Sequence, residues 1–219
     1  MTLDVLNLSD AGFPTGAHGH SSGLEYAIQA GWVGDRSSFT AWARGALAGS
    51  FLPLDVRAAV RAWHLTGSDP AAWKPVGVEL ASFRTSQVQR EASAQVGRSF
   101  LRSAAACYPD LSARFPRAEG TEVQFPVVWA AVFRALDLGV DDMARTLVFG
   151  CLRQWVQVAV RIVPLGQSEA FPALTELLAG LGTLATGPDE AQRPLESLAP
   201  GLEVAGLGMD RLERKYFRS

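Results

Sequence analysis

Apolar residues recur at three- and four-residue spacing through most of the chain, and no stretch alternates with the period of two that a half-buried strand needs. Residues 140–163 are the clearest case. Leu147, Val148, Cys151, Leu152, Trp155, Val158 and Ile162 form one broad stripe, and Phe149, Val156 and Val160 are apolar on the other side. A helix apolar nearly all round belongs in the middle of a bundle. Asp141 and Asp142 suit its first turn, where the helix dipole favours negative charge, and Pro164 and Gly166 stop it.

The same reading places helices over 24–34, 37–49, 53–64, 76–106, 124–138 and 168–182. Pro53 and Pro75 are expected at first helical positions, which tolerate a missing N–H. Helix 76–106 has room for a break, and its Gly97 suggests a close helix crossing. Residues 183–201 read as loop, with Pro188, Pro194, Pro200 and Gly201, and residues 209–219 as a basic, aromatic tail. The expected fold is all-α: a single-domain helical bundle over 1–219 around a central long apolar helix. Loop 1–23 and tail 203–219 are its expected interaction segments.

Composition narrows the function classes. The 219 residues are 48% apolar with a net charge of -2, a globular balance with no electrostatic footprint for nucleic acid. No apolar run approaches the roughly 20 residues that span a bilayer. Without a basic and apolar leader pattern, the expected location is the cytoplasm. Cys107 and Cys151 are far apart and outside any Cys/His cluster, which argues against zinc. No nucleophile elbow, zinc-protease, P-loop or dinucleotide-binding pattern is present, so the chain is not expected to bind GTP itself. Asp141-Asp142 lacks the further acid that a diphosphate-binding helix would need, because position 145 is Arg.

Residues 9–25 are too rich in Gly, Ser and Pro for a regular element. Ser21 or Ser22 could cap the helix that follows. His18 and His20 are the only close histidine pair. A transient metal-ion contact suits imidazole; hydrogen-bonding or interface roles are the plainer alternative. Arg161 is expected as a buried cation paired with Glu25 or Glu91, or as a contact that positions the turn 164–167 for a partner.

Several segments together resemble the UreF family of urease accessory proteins. The N-terminal stretch carries its order of Asp, Phe-Pro-Thr-Gly, His-Ser and Gly-Leu-Glu. Residues 159–167 are similar to its Ala-Val-Arg-Leu-Val-Pro-Leu-Gly-Gln. Gly97-Arg98-Ser99-Phe100-Leu101 resembles Gly-Arg-x-Leu-Leu, Phe125-Pro126-Val127-Val128 resembles Tyr-Pro-Val-Val, and Phe217-Arg218-Ser219 matches the usual ending. There are departures. Gln124 stands where His is common, Gly12 replaces Ser or Ala, and the family's Met-Arg-His-Glu tail segment has no histidine here.

The resemblance implies a non-enzymatic, all-helical protein that binds a UreD-type scaffold (UreH in some organisms) and the GTPase UreG. The complex helps deliver Ni²⁺ to apo-urease, with no cofactor held stably by this chain. It also implies homodimerisation and an effect on the UreG GTPase. The partner-binding residues it implies are Phe13, Pro14, Thr15, Gly16, His20, Ser21, Gly23 and Glu25, then Arg161, Pro164, Leu165, Gly166 and Gln167, then Tyr216, Phe217, Arg218 and Ser219. The tail is expected to order against the UreD-type partner, so that deleting 210–219 removes the complex and spares the fold. The alternative is a helical-bundle enzyme acting on a small apolar substrate, which would need clustered acids or a metal site on facing helices.

Overall fold

The computed structural model describes residues 2–16, 20–115, 120–163, 165–212 and 216–217. Among them every regular element is helical. In order they are α1 (Leu3–Ser9), α2 (Leu24–Gln29), α3 (Arg36–Ala46), a π-helical segment (Leu47–Val56), α4 (Arg57–Thr66), α5 (Trp73–Phe83), α6 (Gln87–Cys107), α7 (Leu111–Arg114), α8 (Phe125–Ala135), α9 (Val140–Ile162), α10 (Gln167–Ala179), α11 (Pro188–Gln192) and α12 (Pro200–Gly208), with a 3₁₀ turn (Met209–Arg211) after it.

The element buried on every side is α8. All residues from Pro126 to Phe133 are buried, and α8 packs on α4, α5, α6, α7 and α9. The long helix α9 touches α1, α2, α3, α4, α8 and α10. Its 23 residues make it about 35 Å long. It is not apolar all round, however: Asp141, Arg145, Phe149, Gln157 and Arg161 keep one face exposed. The two helices share the middle of the bundle: α9 touches the most elements, and α8 is the more completely buried. Aromatic rings tie α6 to α8, with Phe100 against Phe125 and Trp129 at centroid distances of 5.7 and 4.9 Å. The Trp129 indole N–H donates to the Met143 carbonyl at 3.2 Å and ties α8 to α9.

Pro53 does not open a helix. It lies inside a continuous run from α3 through the π-helical segment into α4. A proline has no N–H to give, and the run is fastened from outside: the Gly49 carbonyl accepts the Leu198 N–H at 2.6 Å. The Pro53 carbonyl takes the Glu196 N–H at 3.2 Å. Residues 194–199 thus form a strap along the π-helical segment.

Other boundaries follow local chemistry. Asp35 caps α3 reciprocally with Ser38, and those hydrogen bonds hold its carboxyl below the usual range. Ser86 caps α6, so the expected helix 76–106 breaks at 84–86. Gly97 makes a close approach, but to the Val123 carbonyl on the way into α8 rather than to a helix; Gly77 meets the Glu122 carbonyl in the same way. Two expected loops hold helices: α1 within 1–23, and α11 and the start of α12 within 183–201.

Candidate functional site

The N-terminal signature is a series of tight turns laid on the bundle. After α1, the Asp10 carboxylate accepts the Gly12 N–H at 2.6 Å and the Asp10 carbonyl accepts the Phe13 N–H at 3.1 Å. This turn drives Phe13 against Phe100, with ring centroids 5.7 Å apart. Pro14 is exposed and its carbonyl accepts the Ser103 hydroxyl at 3.0 Å. Thr15 is half-buried and Gly16, with φ +74, is exposed. His20 is buried, and its carbonyl takes the Gln154 side-chain N–H at 2.6 Å.

Neither serine takes the N-cap position of α2. Gly23 does, in the left-handed region at φ 87, where its missing Cβ leaves room for Ala205 of α12. Ser21 is buried with its hydroxyl 3.7 Å from the Met209 sulfur.

Glu25 is the chemical centre of this region. It is fully buried, and one of its oxygens accepts the Tyr216 backbone N–H at 2.6 Å and the Gln29 side-chain N–H at 3.2 Å. The other accepts the Phe217 N–H at 3.0 Å. A carboxylate carried out of water needs such partners, and here most of them come from the far end of the chain. The Phe217 ring is buried, and the Arg161 guanidinium lies 5.7 Å from its centre. Tyr216 keeps its side chain exposed. The first signature, the end of α9 and the tail thus meet at one seat.

Two expectations change. Arg161 is exposed rather than buried; it lies over Phe217, Glu25 is occupied by the tail, and Glu91 takes a side-chain N–H from Gln87 at 2.7 Å. The tail at 216–217 is seated in this chain's own fold, with Phe217 in the core. Removing 210–219 would therefore take two backbone donors from a buried carboxylate, leaving it the Gln29 side chain, and would take Phe217 out of the core, so the fold is not indifferent to it.

Leu165 is buried and Gly166 exposed at the N-cap of α10, where its carbonyl accepts the Ala170 N–H. Gln167 opens that helix. His18, Pro164, Arg218 and Ser219 lie outside the described residues. Among the described residues no group of three or more His, Cys, Asp and Glu is placed to hold a metal ion, and no helix is long and apolar enough to cross a membrane. Both cysteines are free thiols, and burial pushes that of Cys151 well above its ordinary value.

Sequence reasoning missed the fastening of residues 188–199. Arg57 is buried and donates to Glu190 at 2.7 Å, to the Pro194 carbonyl at 2.6 Å and to Glu196 at 3.3 Å. Arg61 donates to the Ala191 carbonyl at 2.9 Å and to Glu79 at 2.7 Å. The only local signal is arginine at i and i+4 on an otherwise alanine-rich helix.

Comparison with known proteins agrees with these marks. The UreF family model matches residues 33–178. Proteins described as urease accessory protein UreF are similar along nearly the whole chain. The one from Methylobacterium sp. (strain 4-46) is 30% identical, covering 99% of this chain and 86% of its own. That from Methylobacterium radiotolerans is also 30% identical, over 94% and 90%, and that from Escherichia coli O157:H7 is 26% identical, over 99% and 95%. The matched region contains α3 to α9 and most of α10, while Glu25 and the tail are spanned by the longer pairwise matches. The chain belongs to the UreF family.

Proposed function

We propose that this chain is a non-catalytic, cytoplasmic urease maturation factor. It joins a UreD/UreH-type scaffold and the UreG GTPase so that Ni²⁺ reaches the apo-urease active site, and it tunes UreG's GTP turnover. Nickel is cargo of the complex in this reading, and the chain works as a homodimer. The observation that carries the docking part is the seat at Glu25. It places the exposed Tyr216 ring, the exposed Arg161 and the turn-rich N-terminal segment on one fastened surface. Tyrosine and arginine are the side chains that most often anchor protein interfaces.

The test is light-scattering chromatography of the full chain with the UreD-type protein of the same organism. Tyr216→Asp is the informative variant, because Tyr216 gives the seat only its backbone N–H. Co-elution of the native chain and its loss in Tyr216→Asp support this assignment. Co-elution unchanged in the variant would place the scaffold elsewhere.

A further inference from the structure

A groove of about 220 Å³ lies between the turn after α1, the π-helical segment, α6, α8 and α9, and Leu202 and Glu203 of α12 also line it. Helix α12 is a wall of a different kind from the others. Its buried residues are Ala205, Gly206 and Gly208, which offer little apolar area. Ala205 and Met209, in the turn after α12, are buried but stand apart from the contiguous core. Gly206 lies on the Gln89 side chain of α6 and Gly208 on the Tyr26 ring of α2, each so close that a Cβ there would collide. Val204 and Leu207 stay exposed. Among the described residues two side-chain hydrogen bonds hold this segment. The Thr85 hydroxyl donates to Glu203, and the Ser21 hydroxyl to the Met209 sulfur at 3.7 Å.

The two ends of the segment are held unequally. Before it, the strap is pinned where the Leu198 N–H meets the Gly49 carbonyl. Ala199 then turns the chain at φ -121 and ψ 69, and Pro200 and Gly201 are exposed. Beyond it, the fixed point is Glu25, which holds the Tyr216 and Phe217 N–H groups. A segment with few buried apolar contacts opens at lower free energy than the core, and a few residues at its end absorb the rotation of such a hinge. We infer that α12 and its 3₁₀ turn, residues 200–211, form a hinged flap on the groove. The flap swings about 199–201, uncovers the groove lining at Cys151, and is latched by the grip of Glu25 on residues 216–217. It is a property of the free chain, independent of any docking partner.

Cys151 reports on the flap, because it lines the groove while Cys107 is exposed. The test is alkylation of the full chain by N-ethylmaleimide, with each site followed by peptide mass spectrometry. Cys151 should react far more slowly than Cys107, since burial both shields the thiol and pushes it well above its ordinary value. Glu25→Ala should speed Cys151 at least about tenfold, because two N–H bonds to a charged acceptor are lost, and leave Cys107 unchanged. Glu203→Ala should speed it a few-fold, and serves if Glu25→Ala does not fold. Val132→Ala separates the flap from global unfolding. Val132 is buried in α8 and does not line the groove, so this variant should lower the unfolding midpoint and leave the Cys151 rate unchanged. Cys151 as reactive as Cys107 in the native chain overturns the flap. So do unchanged Cys151 rates in the folded latch variants, and so does a Val132→Ala acceleration as large as theirs.

Discussion

Two late segments of this chain are fastened back onto early helices by a buried charge, and they are fastened differently. The strap, taken with α11 before it as residues 188–199, answers to Arg57 and Arg61, to two backbone hydrogen bonds with the π-helical segment, and to the buried side chains of Ala191 and Leu195. The tail at 216–217 answers to one carboxylate, Glu25, and one buried ring, Phe217, with Arg161 over it. Many independent fastenings make the strap part of the fold. A few fastenings at one point make the tail a segment that can open locally without the core, which is how elements that respond to partners are built.

The largest effect is expected at Arg57. Replacing it by Leu leaves the largely buried Glu190 without that cation and the Pro194 carbonyl without that donor, a loss of about 3–5 kcal/mol for a broken buried pair. Urea unfolding should show it as a lower midpoint of the whole protein. Glu25→Ala removes the acceptor of two backbone N–H groups. Its cost should be about 1.5–3 kcal/mol, and exchange of the Tyr216 and Phe217 amides should rise far more than exchange in α8. If Glu25→Ala instead unfolds the chain as Arg57→Leu does, the two regions are not different in kind.

Arg61→Ala sharpens the strap side. Arg61 is only one of several fastenings and its partner Glu79 is 43% exposed, so about 1 kcal/mol is expected from calorimetry or urea unfolding. Arg161→Ala is the smallest. A cation over a ring at an exposed site contributes about 0.5–1 kcal/mol, and faster exchange at Phe217 with a nearly unchanged unfolding midpoint is the expected result.

The ease of reading these regions from sequence differed for the same physical reason. Helix α9 was legible almost to the residue, because its period is unbroken over six turns and Asp141 and Pro164 mark its ends. Its exposed face was not, since the row from Asp141 through Arg145 and Phe149 to Arg161 includes an aromatic that composition counts as core. Pro53 read as a helix start because that is where proline usually sits; that it lies inside a π-helical run, with its own carbonyl taking an N–H from the strap about 145 residues away, has no local mark. In α11 and α12 a proline does open the helix, but both are short and lie among glycines and prolines, so periodicity could not show them. The fastening of Glu25 to Tyr216 spans 191 residues, and nothing local announces it. The residues of the seat could be named from the family resemblance; that they meet one another could not.

The most direct measurement is amide hydrogen exchange of the free chain and of the chain with its UreD-type protein, comparing Tyr216 and Phe217 with Glu196 and Leu198. In the free chain the tail amides should exchange faster than the strap amides, and the partner should slow the tail amides and leave the strap unchanged. Tail amides as slow as those of the strap, or a tail indifferent to a partner that binds, would contradict the account.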